Sequence, residues 1–196
     1  MRVNTILKPL LAAAAAAAML GAAPAHAQTA PAKPAAAAPA SAPLSKGDQQ
    51  ILIDMAQANM AEVESAKMAQ GKTQNADVKT FAQQMIDDHT KALTDVQQLA
   101  GARGVTLPTE VDKRHKAMAD KLAAMSGDAF DKAYLAQCGV AEHKKVHAML
   151  ASAAKKAKDA DVKALAGRME PTVEQHMKAA QQLGKAKPAA ATGAGK

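Results

Sequence analysis

The chain has 196 residues and a formal charge of +7, with 25 Lys and Arg against 18 Asp and Glu. Six of the basic residues (Arg2, Lys8, Lys33, Lys185, Lys187, Lys196) lie outside residues 45–184, which leaves 19 basic against 18 acidic residues there. A nearly neutral central part whose only aromatics are Phe81, Phe130 and Tyr134 lacks the basic face and stacking rings of nucleic-acid binders, which excludes that class of partner.

The amino terminus reads as a cleavable export signal. Arg2 and Lys8 precede an Ala/Leu-rich stretch from Pro9 to Ala23, and Ala25-His26-Ala27 places small residues where a signal peptidase cuts, before Gln28. The apolar run is shorter than the roughly 20 residues a spanning helix needs, and no later segment is long and uncharged enough to span. With no cysteine at the cleavage point to carry a lipid, the expected product is free in the periplasm or outside the cell. Residues 28–44, almost all Ala, Pro, Ser, Gln and Thr, carry too little apolar bulk to offset ordering entropy and read as a flexible tether. Residues 185–196 read as a disordered tail, leaving 45–184 as one domain.

The domain reads as all-helical. Ser45-Lys-Gly-Asp48 resembles a capping box and opens a first long helix that runs to about Gln70, before Gly71. Asn75 caps a second, with Val78, Phe81, Ala82, Met85, Ala92, Val96 and Leu99 on one stripe, ended by Gly101 and Gly104. A shorter helix of about 17 residues, roughly 25 Å long, starts at Leu107-Pro108-Thr109 and presents Val111, Met118, Leu122 and Met125. Ser126-Gly127-Asp128 recaps the chain for a third long helix with Phe130, Tyr134, Val140 and Leu150. A fourth begins near Asp161, with Val162, Leu165, Met169, Val173 and Leu183.

A faint repeat links Asp77-Val78-Lys79 with Asp161-Val162-Lys163, and Gln97-Gln98-Leu99 with Gln181-Gln182-Leu183. Two similar hairpins joined by a long connection carrying an extra short helix is the plan of a ferritin-like four-helix bundle, with crossover topology. Cys138, the only cysteine, has no internal disulfide partner and reads as a semi-buried thiol within a helix.

Several stretches together resemble a known family. They are Ala61-Glu-Val-Glu64 with Lys67-Met-Ala69, Val78-Lys-Thr-Phe-Ala82 leading to Asp88-His89, Leu122 to Gly127, Phe130-Asp-Lys-Ala-Tyr134, His143, and Glu174-Gln-His176. In these the chain resembles domain-of-unknown-function family 4142, exported ferritin-like proteins, over about residues 47–184. The resemblance implies a helical exported domain and assigns it no activity.

Histidine carries the remaining signal. His89 continues the stripe of the second helix, and His143 and His147 sit one turn apart between Val140 and Leu150. His176 continues Met169 and Val173, and Glu62 shares a face with Met55 and Ala69. Every long helix therefore aims at least one metal-ligand side chain inward. Imidazole with carboxylate suits Zn, Cu or Fe. Rises of 1.5 Å per residue put Glu62, His143 and His147 within about 5 Å in height, with His89 and His176 nearby, so three or four of the five can share an ion. His115 on the short helix is expected to be exposed. A ferritin-type di-iron site is disfavoured, because Ile86 and Val173 stand where Glu-x-x-His motifs place carboxylates. The pair Asp131/Tyr134 reads as cap and packing, and nine of the 11 methionines lie after residue 27 at helical spacing, as core filler.

The sequence thus predicts an exported helical-bundle protein of unestablished activity, a metal-binding or stress-related accessory protein with a mid-bundle His/Glu site. The alternatives are a cofactor-free structural or protein-interaction module and, last, a metal-dependent redox enzyme. No catalytic residue is assigned, and composition suits monomer or homodimer alike.

Overall fold

The computed structural model describes residues 42–186, and all of its regular structure is helical. The segment expected to be an export signal, residues 28–41 of the expected tether and residues 187–196 of the expected tail lie outside the described residues. Helix α1 (Lys46–Lys72) begins at N-cap Ser45, whose hydroxyl accepts from the Asp48 amide. Helix α2 (Ala76–Ala102) follows N-cap Asn75, whose side chain accepts from the amides of Asp77 and Val78. The faint repeat has a structural counterpart: Asp159 caps α6 (Ala160–Lys185) by accepting from Asp161 and Val162.

Between the hairpins, α3 (Lys113–Ala123) has 11 residues rather than about 17. It starts at N-cap Asp112, not at Pro108. The residue before a proline is held extended, and the backbone beyond it is claimed elsewhere: Gln57 on α1 donates to the Glu110 carbonyl and accepts from the Asp112 amide. The connection therefore passes α1 as irregular chain before turning helical. Gly104, at φ 65°, makes the left-handed turn that releases α2 into it.

Helix α4 (Gly127–Tyr134), a π-helical stretch (Leu135–Glu142) and α5 (His143–Lys156) form one continuous rod. Packing fixes the topology. Arg103 at the end of α2 pairs with Asp159 at the start of α6, and buried Asp48 near the start of α1 accepts from the amides of Lys158 and Asp159. Thus α1 and α6 run parallel while α2 and α6 run antiparallel, as a crossover bundle of two hairpins requires. Leu44, assigned by composition to the tether, is buried in the core.

Two apolar clusters fill the bundle. One gathers Leu52, Met55, Val96, Leu150, Val162 and Leu165, the other Phe81, Met85, Leu122, Phe130, Tyr134 and Leu135. In sequence, His89 falls between Met85 and Val96, His143 between Leu135 and Leu150, and Glu62 between Met55 and Ala66. A buried polar layer therefore separates the two apolar halves. Among the described residues no helix is long and apolar enough to cross a membrane.

Candidate metal centre

Three imidazoles meet in that layer. His89, His143 and His176 are 6%, 1% and 1% exposed, and their ring centroids form a nearly equilateral triangle of 5.4, 5.4 and 5.2 Å. His143 Nε2 lies 3.4 Å from His89 Nε2 and 3.4 Å from His176 Nδ1, and the three ligand nitrogens fall within 4.8 Å of one another. Around a tetrahedral ion with metal–nitrogen bonds of about 2.0–2.1 Å, neighbouring ligand nitrogens stand about 3.3 Å apart. Both separations at His143 match that spacing.

The outer nitrogens decide the tautomers. His89 Nδ1 is 2.8 Å from Asn59 Oδ1, and the Asn59 amide is oriented by its own donation to the Met55 carbonyl at 2.7 Å. His143 Nδ1 is 2.8 Å from the Cys138 carbonyl, and His176 Nε2 is 2.8 Å from Asp88 Oδ2. All three partners are oxygens that can only accept, so each ring places its N–H outward. Three bare lone pairs then face one another with no proton to share. Imidazoles that ligate metals characteristically donate their other N–H in this way.

Burial pushes the pKa of His89 well below the ordinary imidazole range, aided by the neighbouring His143 and His176. It holds His143 at about 4. His176 is also lowered by burial, against the opposing pull of the Asp88 carboxylate. Neutral imidazoles are the form that binds metal.

Of the five residues that the sequence proposes as ligands, the structure brings three together. Glu62 is buried but stands behind His143, with Oε1 3.6 Å from Nδ1, the nitrogen committed to Cys138. Its Oε2 has no hydrogen-bond partner among the described residues, and burial, with Glu142 nearby, pushes its pKa well above the carboxylate range. His147 leaves the cluster for Glu170, 3.5 Å away, and its side chain is 32% exposed. At 100° per residue, Val146 and Leu150 lie about 60° and 20° to one side of His143, whereas His147 lies about 40° to the other. The apolar neighbours set the inward face, and His147 falls off it.

His115, expected to be exposed, is 5% exposed. Its Nε2 accepts from Arg114 at 2.6 Å, and Arg114 also donates to buried Glu142 on the π-helical stretch, which fastens α3 over the ring. Asn59, Asp88 and the Cys138 carbonyl are the partners that the sequence reading missed. Asn59 was legible, since it lies on the inward stripe of α1 between Met55 and Glu62, but the carbonyl depends on backbone geometry.

Solved structures with the same fold include a DUF305 fragment from Deinococcus radiodurans (TM-score 0.65, 15% identity, covering 72% of this chain and 97% of that one). CopM in its Cu(II)-bound form is similar at TM-score 0.60 and 17% identity, covering 70% and 95%. A candidate spore coat protein of Bacillus halodurans C-125 is similar at TM-score 0.59 and 15% identity, covering 73% and 89%. At these identities the likeness is one of fold. No curated protein sequence matches the chain. Residues 33–183 match the family described as Domain of unknown function (DUF4142), most of the chain, and the protein belongs to that family.

Proposed function

We propose that this is an exported helical-bundle protein that binds one transition-metal ion on His89, His143 and His176, as a metal-handling accessory protein rather than a di-iron oxidase. The observation that carries this reading is the convergence of three lone pairs whose outward N–H groups are all committed to oxygen acceptors. Three nitrogens turned on one another repel unless a cation lies between them. A cluster of neutral imidazoles without a carboxylate suits copper or zinc better than iron. The fold shared with CopM, solved in its Cu(II)-bound form, makes copper the first ion to try. Export rests on Ala25-His26-Ala27 and the apolar run before it.

Metal analysis of untagged protein purified from the periplasm tests the reading. About one ion per chain is expected, falling to background in a His89→Ala/His143→Ala double variant that stays folded. Wild-type protein that remains metal-free after dialysis against copper and zinc would overturn it, leaving a cofactor-free module with a polar layer across its core.

A further inference from the structure

His89 and His176 line a cleft of about 390 Å³ together with Asn59, Arg168, Met169 and Thr172. A separate void beside His89 and His143, walled by Ala58, Glu62, Val146 and Val173, measures about 10 Å³. That is barely the room one water needs, whereas the cleft is within the size range of small-molecule sites. Among the described residues no fourth His, Cys, Asp or Glu joins the three ligand nitrogens.

The charges around the cleft are unequally engaged. Asp88 accepts from His176, and Asp95 pairs with Lys91 at 3.4 Å. Exposed Arg168 makes no ion pair among the described residues. Its guanidinium is a planar fork matched to a carboxylate.

From this asymmetry, and resting on the metal reading above, we infer that the cleft supplies the ion's fourth ligand from outside the chain. The ligand class is a small hydroxy- or amino-carboxylate, its carboxylate on Arg168 and a second donor atom on the metal. A three-histidine site with an externally filled fourth position exchanges ligands, whereas a closed four-residue site does not.

The full chain loaded with Cu(II) tests this, with metal content measured throughout. Azide should produce a saturable charge-transfer band, which reports an open position. Lactate should displace azide, and in Arg168→Ala its affinity should fall about tenfold while azide binding and metal content are retained. Stoichiometric copper with no azide band, or lactate binding equal in wild type and Arg168→Ala, overturns the inference while leaving the metal site standing. A chain that takes up no copper fails the earlier reading and this one with it.

Discussion

The three ligand rings are held with different firmness at their outer nitrogens. His143 donates to a backbone carbonyl, which no side-chain substitution removes. His176 donates to Asp88, a side chain 38% exposed at the cleft. His89 depends on Asn59, which is 2% exposed and itself fixed by the Met55 carbonyl. Replacing Asn59 by Leu strands the His89 N–H in an apolar wall, and the ring then gains by moving its proton to Nε2, the atom that should ligate. Loss of such a supporting group typically costs 10–100-fold in metal affinity. Asn59→Leu is accordingly expected to weaken binding by that factor in a chelator-competition titration. Asp88→Asn, which keeps an acceptor oxygen, should weaken it less. The assignment is checked on metal-free protein by imidazole ¹⁵N shifts, which should give N–H at Nδ1 of His89 and His143 and at Nε2 of His176. A proton found on any converging nitrogen would dismantle the site argument.

At the scale of elements, the π-helical stretch sets the distance between the helices that carry His143 and His176. A Cβ built on Gly139 would stand 2.4 Å from the Ala180 Cβ and 3.6 Å from the Phe81 ring, so α6 seats directly on this stretch. Gly139→Ala must push α6 outward or distort the π turns. Overpacking of this kind costs about 1–3 kcal/mol, and the same displacement should loosen metal binding. Adding Ala180→Gly removes the opposing methyl and should recover much of both losses. A Gly139→Ala protein of unchanged melting temperature would show that the contact is not tight. This element also marks where sequence reading stops. Caps at Ser45 and Asn75, the apolar stripes and the paired hairpins are local patterns, and the bundle followed from them. A π turn has no side-chain signature, so the sequence offers an ordinary helix from Gly127 onward. It therefore cannot see that Cys138 offers its carbonyl to His143 or that Gly139 touches α6. His147 misleads for a different reason: i, i+4 spacing places two rings on one side of a helix, but Val146 and Leu150 on the same helix set an inward face that includes His143 and leaves His147 at its edge.

For the whole molecule, the buried layer makes stability depend on pH, with contributions of opposite sign. His89, His143 and His176 all have pKa values below 6.5 in the folded chain, His143 about 4. Between pH 6.5 and about 4 the unfolded chain binds protons that the folded chain refuses, so stability is full above pH 6.5 and falls through this window on acidification. His143 alone corresponds to about 3 kcal/mol, or a fall in melting temperature of roughly 10 °C. Glu62 works the other way. Its raised pKa means that the folded chain holds a proton which the unfolded chain gives up above its ordinary value of 4.5, so Glu62 destabilises the fold as pH rises. The metal-free wild type should therefore lose melting temperature steadily from pH 7 to 4, by less than the three imidazoles alone would give. Glu62→Gln, neutral throughout, should melt higher than wild type at pH 7 by several degrees and converge with it near pH 4. A ligand that binds only the folded chain stabilises it in proportion to its saturation. Copper or zinc should accordingly raise the melting temperature most at neutral pH and lose its effect as protons compete for the same three nitrogens. Far-ultraviolet circular dichroism across that pH range, with and without metal, reads all of these. A Glu62→Gln melting temperature independent of pH would mean that the imidazoles are not held neutral inside the fold. Parallel curves for wild type and Glu62→Gln would mean that the carboxyl has access to water.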